Sequence, residues 1–172
     1  MATRRIVTGV NEQGRSVLVS DEVVPGVELM PDYFISQIWG SDTTPVAPND
    51  GSTPDVFGDF FAPAGGYRVV ISVKPPGDVA PEIDEELGAG FESKMPGWAR
   101  YFEDEDPGMH ATDSVDIVIV LSGEEWCELD DGREVHLKAG DIFIQNGTRH
   151  RWHNRGTAPC VTAVVLLGAK HG

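Results

Sequence analysis

The chain is short of cysteine, of basic side chains and of long apolar runs, and each shortage removes a class of protein. Cys127 and Cys160 are the only cysteines among 172 residues. They stand far apart in apolar surroundings, so the reading is two buried, reduced thiols rather than a disulfide framework. No run approaches the roughly 20 apolar residues of a membrane-crossing helix. Arg4 and Arg5 are not followed by the apolar stretch of a secretory signal, and these two absences together lead to the expectation of a cytoplasmic protein with no membrane partner. Lys and Arg number 13 against 28 Asp and Glu, a formal net charge of −15. Nucleic-acid binding needs clustered cations to neutralise phosphates, so no nucleic-acid partner is expected.

What is present is a β-rich pattern. Apolar residues make up 40% of the chain, enough for one substantial core. Segments 67–74, 114–121, 124–129, 133–137, 141–145, 149–154 and 160–167 are short and rich in Val, Ile and aromatics, and read as strands. Turn signals separate them, among them Ser122-Gly123, Asp130-Asp131-Gly132 and Asn146-Gly147. Evenly spaced strands of this kind point to an all-β sandwich or barrel. Segments 5–10 and 16–20 are expected to add an N-terminal hairpin. The predicted organisation is therefore an extension, 1–66, packed on a barrel, 67–172, as one structural domain.

Two irregular stretches, 40–66 and 75–108, flank the first barrel strand. Loops this long inside a compact domain are usually functional covers or disordered. The second carries Phe91, Met95, Trp98, Tyr101 and Phe102, and a short helix over 96–102 would lay these aromatics across the barrel mouth; a core plug or a dimer contact is the equal alternative. From Asp78 to Asp116, 12 acidic residues face only Lys94 and Arg100. That charge reads first as a solvated surface and second as a screen against anionic ligands.

The chemistry concentrates in two strands. His110, Thr112, Ser114 and Asp116 alternate along one, and His150, Trp152 and Asn154 along another, so a barrel that joins them puts two imidazoles, a carboxylate and hydroxyls on one inner surface. This spacing resembles the two motifs of the cupin superfamily. In the first motif His110 falls on the first histidine and Gly123 on the closing glycine, while Thr112 replaces the second histidine and Asp116 the glutamate. In the second, Gly140, Gly147, His150 and Asn154 keep their places and Gln145 stands at the proline. The resemblance covers roughly 67 to 167 and implies a double-stranded β-helix, the cupin jelly roll.

His110, Asp116 and His150 are the candidate catalytic residues. As metal ligands they would suit Fe, Mn, Zn or Ni, although Asp116 is one methylene shorter than glutamate; a metal-free site is the other reading. Without a metal, an imidazole beside a carboxylate would stay poised near neutral pH as an acid or base. Thr112, Ser114, Gln145, Asn154, Trp152, Trp98 and Tyr101 are the candidate substrate-binding residues, with Gln145 facing outward if Ile144 faces in. His136 and His153 read as surface or rim residues. The first functional expectation is an acid–base lyase or isomerase acting on a small oxygenated substrate. The alternatives are an Fe(II)-dependent dioxygenase and a noncatalytic ligand-binding protein. A homodimer is expected, because the hairpin and the outward Val115, Ile117 and Ile119 need cover.

Overall fold

A computed structural model describes residues 1–52, 58–77 and 85–172, the last without the side chains of 85–87. The expected acidic segment and the expected loops lie partly outside those residues. The N-terminal hairpin is longer than its sequence signal, with β1 (Ala2–Val10) antiparallel to β2 (Ser16–Pro25). Strands β3 (Val27–Met30) and β4 (Tyr33–Ser41) follow. Next come β5 (Tyr67–Lys74), helix α1 (Glu85–Lys94) and a single 3-10 turn at Ala99–Tyr101. The remaining strands are β6 (Ser114–Ser122), β7 (Glu124–Leu129), β8 (Glu134–Lys138), β9 (Ile142–Gln145), β10 (His150–His153) and β11 (Cys160–Gly168). The fold is the all-β double-stranded β-helix that the sequence pattern anticipated.

A six-stranded sheet in the order β3-β4-β5-β11-β6-β9 faces a three-stranded sheet, β10-β7-β8. Inward residues alternate as the strand period demands: Ser114, Asp116, Val118 and Val120 on β6 are buried, as are Glu125 and Cys127 on β7. The β7–β8 hairpin closes at Asp131 and Gly132, both with positive φ (60° and 69°), the backbone that an Asp-Gly turn favours.

Two expectations are corrected. Residues 1–66 are not merely an extension, because β4 hydrogen-bonds β5 and β3 follows it, so the large sheet runs across that boundary. The helix expected over 96–102 is instead α1 at Glu85–Lys94; near Trp98 only one 3-10 turn forms, since Gly97 takes φ 74° and Pro96 precedes it. The aromatics of this insertion are both core and wall: Phe91, Met95 and Trp98 are buried against Leu29, Ile35, Phe60, Phe61 and Val70. Cys127 and Cys160 are buried and free, and burial pushes both thiols up to about 12. Among the described residues no helix is long and apolar enough to cross a membrane.

Candidate functional site

Between the two sheets lies a cavity of about 1080 Å³, counting its open mouth. Its walls are largely apolar, with Ile35, Phe60, Val70, Phe91, Trp98 and Leu166 among them. At its polar end the strand pairing brings the two histidines together. His110 N–H donates to the His150 carbonyl at 3.0 Å and His150 N–H donates back at 2.9 Å. Residues that exchange both bonds share a face, so the rings meet with centroids 4.2 Å apart. Phe102 pairs with His110 from the other side and stacks on it at 4.6 Å, while Trp152 stands edge-on to His150 at 5.5 Å. A row of rings thus runs Trp98, Phe102, His110, His150, Trp152.

The tautomer follows from the backbone. Nδ1 of His110 lies 2.9 Å from the Gly108 carbonyl, and Nδ1 of His150 lies 2.9 Å from the Thr148 carbonyl. A carbonyl only accepts, so Nδ1 carries the proton and Nε2 keeps its lone pair. Burial, with the neighbouring His150 and against the Gly108 carbonyl, pulls His110 down to about 3. Burial likewise takes His150 down to about 4, with the Thr148 carbonyl opposing and Lys74 adding to the depression. Both rings are neutral at pH 7. The expectation of an imidazole held near neutrality by a carboxylate is therefore corrected: among the described residues no carboxylate bonds either ring, and desolvation wins.

The perturbed carboxyl is Asp116. It is buried in the cavity wall, its Oδ1 has no hydrogen-bond partner, and burial pushes it up to about 6, with Ser114 pulling the other way. Thr112, also in the wall, accepts a 2.9 Å hydrogen bond from the Ser114 hydroxyl. Gly147 lets the β9–β10 turn close on this strand: a Cβ there would sit 2.7 Å from the Thr112 carbonyl, and its φ is 66°.

Thr112, Trp98 and Trp152 line the cavity with the two histidines and Asp116. Four candidate substrate-binding residues do not. Ser114 spends its hydroxyl on Thr112. Gln145 is buried opposite Asp116 and Ile144 is 49% exposed, the inward facing that a substrate-binding role requires, but the Gln145 Oε1 accepts from the Thr148 amide and hydroxyl and the residue does not line the cavity. Asn154 is fully buried as a clip, donating to the Lys74 and Ala158 carbonyls and accepting from Gly156 N–H. Tyr101 packs edge-on to Phe61 and shares its hydroxyl with Arg100. His153, expected at the surface, is buried and bonds Glu128 at 2.7 Å.

Sequence reasoning missed Lys74 and Glu125, which form a 2.8 Å ion pair in the cavity wall. The available signal was charge at inward register: Glu125 precedes Cys127 by two on β7, and Lys74 ends an apolar strand. Tyr33 and Arg151 also line the cavity. Arg151 is held by Glu128, Asp106 and the Pro107 carbonyl.

The donor set fits a divalent transition metal in part. Two imidazoles, each oriented through Nδ1 by a carbonyl, keep Nε2 as the available donor atom, and both residues line the cavity. The carboxylate is not gathered with them: the one group of three whose donor atoms lie within 4.8 Å among the described residues is Glu128, Glu134 and His153. That second group is already committed, because Arg151 and His153 bond Glu128 and Arg155 bonds Glu134. His153, then Arg151, hold Glu128 below the usual carboxylate range.

The comparisons agree with this geometry. The Cupin domain family matches residues 101–166. A cupin-domain-containing oxidoreductase, fogC of Aspergillus ruber, is 30% identical over 168 residues, covering 95% of this chain and 71% of that protein. Phomopsin biosynthesis cluster protein C' of Diaporthe leptostromiformis is 49% identical over 63 residues, 36% of this chain but only 33% of that protein. In structure, the cupin domain of Schizosaccharomyces pombe Cnp3 superposes with a TM-score of 0.51 at 8% identity, covering 96% of this chain and 87% of that one. The chain belongs to the cupin family.

Proposed function

We propose that this cupin is an oxidoreductase acting on a small, mainly apolar, ring-bearing molecule with an oxygen function. One observation carries the reading: two imidazoles, each with Nδ1 engaged by a backbone carbonyl, stand side by side in the wall of a largely apolar cavity. The oxidoreductase class is favoured over the first sequence expectation by fogC, whose name reports that activity for that protein. A divalent transition metal on His110 and His150 would supply Lewis acidity and, with dioxygen as electron acceptor, redox chemistry. The chain's own residues do the rest. Trp98, Phe102 and Trp152 hold the ring system and exclude water; Asp116, outside the common shell of donors, takes or returns a proton at its unpartnered Oδ1.

The test is elemental analysis of protein purified without chelator, repeated on His150→Ala, with dioxygen uptake measured on phenolic and carbonyl compounds. A stoichiometric metal lost in the variant, with uptake dependent on it, supports the reading. A metal-free protein that exchanges substrate protons without consuming dioxygen supports the acid–base lyase or isomerase instead. That second reading is kept because Asp116 is held near neutrality, where a carboxyl serves as acid and base alike.

A further inference from the structure

The Lys74–Glu125 ion pair stands in the cavity wall, where burial makes charge costly. Breaking into a cavity wall, it takes two charges out of water, and such pairs are often no more stabilising than hydrophobic residues of the same volume. The side chains are 13% and 3% exposed, and the bond is 2.8 Å. Nζ also stands 5.1 Å from the centre of the Trp152 ring, the same ring that meets His150 edge-on. Among the described residues Glu125 is the one hydrogen-bond acceptor of this ammonium. An ammonium has three N–H groups. With one on Glu125 and the charge facing the indole, a donor remains for the cavity that Lys74 lines.

We propose that Lys74, aimed by Glu125 and Trp152, is the substrate-binding donor that takes a carbonyl or phenol oxygen and stabilises the negative charge gathering on it. The inference rests on the cavity being the substrate site and adds the substrate class. Burial works against the Lys74 charge, but Glu125 overrides it and the ammonium is held above its ordinary range, so Lys74 stays a donor and is not an amine nucleophile. The pair is neutral as a whole. The remaining N–H of Lys74 is worth more to an oxygen that carries or gains negative charge than to one that stays neutral.

The test uses 4-nitrophenol, whose absorption reports its ionisation, bound to chelator-treated protein; binding is followed separately by tryptophan fluorescence. In the native chain the ionised form is expected to bind more tightly than the protonated form. In K74M/E125Q, which removes both charges together, the ionisation constant of the bound phenol is expected to fall about tenfold or more, the scale of one charge-assisted hydrogen bond. E125Q alone, which removes the charge that holds the ammonium against burial, is expected to lower that constant as well, so the result does not depend on the double variant folding. Binding with an ionisation constant unmoved by either variant would overturn the role of Lys74 and leave the cavity reading intact. Failure of 4-nitrophenol to bind in any form would overturn both.

Discussion

Replacing Asp116 with asparagine should make the protein more stable, by an amount that grows from nothing near pH 4 to its full value a little above pH 6. The carboxyl is 6% exposed with an unpartnered Oδ1, and burial pushes it up to about 6 from its ordinary value of 3.8. A group whose folded value lies above its unfolded one favours folding while protonated. For Asp116 that contribution is complete below about pH 4 and is lost as the pH rises through about 6, so at pH 8 the ionised side chain opposes folding in full. A difference of about two pH units corresponds to about 3 kcal/mol. The neutral amide removes that opposition, and a chain of this length gains about 2–4 °C in Tm per kcal/mol. For chelator-treated D116N, a Tm about 6–12 °C above the native value is expected at pH 8, shrinking towards zero at pH 4. Calorimetry at the two pH values reads this directly. A variant that melts at or below the native protein at pH 8 would mean that a partner satisfies the carboxylate, and the proton-transfer role would lose its physical basis.

The histidines act with the opposite sign: held at about 3 and about 4, they cannot take up the protons that their unfolded counterparts bind below pH 6.5. Between pH 7 and 5 they should remove about 4 kcal/mol, of which protonation of Asp116 returns about 1; urea melts showing no loss over this range would refute the burial of both rings. Asn154→Ala breaks a fully buried clip of three hydrogen bonds and should lower stability by about 2–4 kcal/mol, with an unchanged denaturation midpoint contradicting that role. Phe102→Ala uncovers His110, which should then titrate nearer its ordinary value in NMR spectra, and an unmoved resonance would show that the stacked ring does not shield it. On the N-terminal hairpin Ile6, Leu18 and Val23 are 54%, 64% and 64% exposed, and we propose that they are covered in a homodimer; sedimentation of the native chain as a monomer at about micromolar concentration would refute it.

The barrel strands were legible because alternation survives in them: Ser114, Asp116, Val118 and Val120 face in, with half-buried Val115, Ile117 and Ile119 between them. Strand β4 carries comparable aromatic and β-branched residues in Tyr33, Phe34, Ile35 and Trp39, but it precedes the motif region and its partner β5 is some thirty residues away in sequence. The histidine pair was legible from motif spacing, whereas its protonation was not. That depends on how completely Phe102 and the opposite sheet dry the rings, which no local pattern records. Gln145 and Asn154 sit at motif positions yet hold turns together: Gln145 accepts through Oε1 from the Thr148 amide and hydroxyl, and Asn154 bonds the backbone of Lys74, Ala158 and Gly156. Lys74 and Glu125 escaped notice for a related reason: nothing in sequence joins residues that meet only when two sheets close.

The most direct test is nitrogen-resolved NMR of the five histidines from pH 8 to 4.5, before and after adding Zn(II). His110 and His150 are expected to remain neutral and protonated on Nδ1 down to about pH 5, and their Nε2 resonances should shift together when the metal is added. Ordinary titration of either ring near 6.5, or a metal response confined to one of them, would contradict a shared, dry centre.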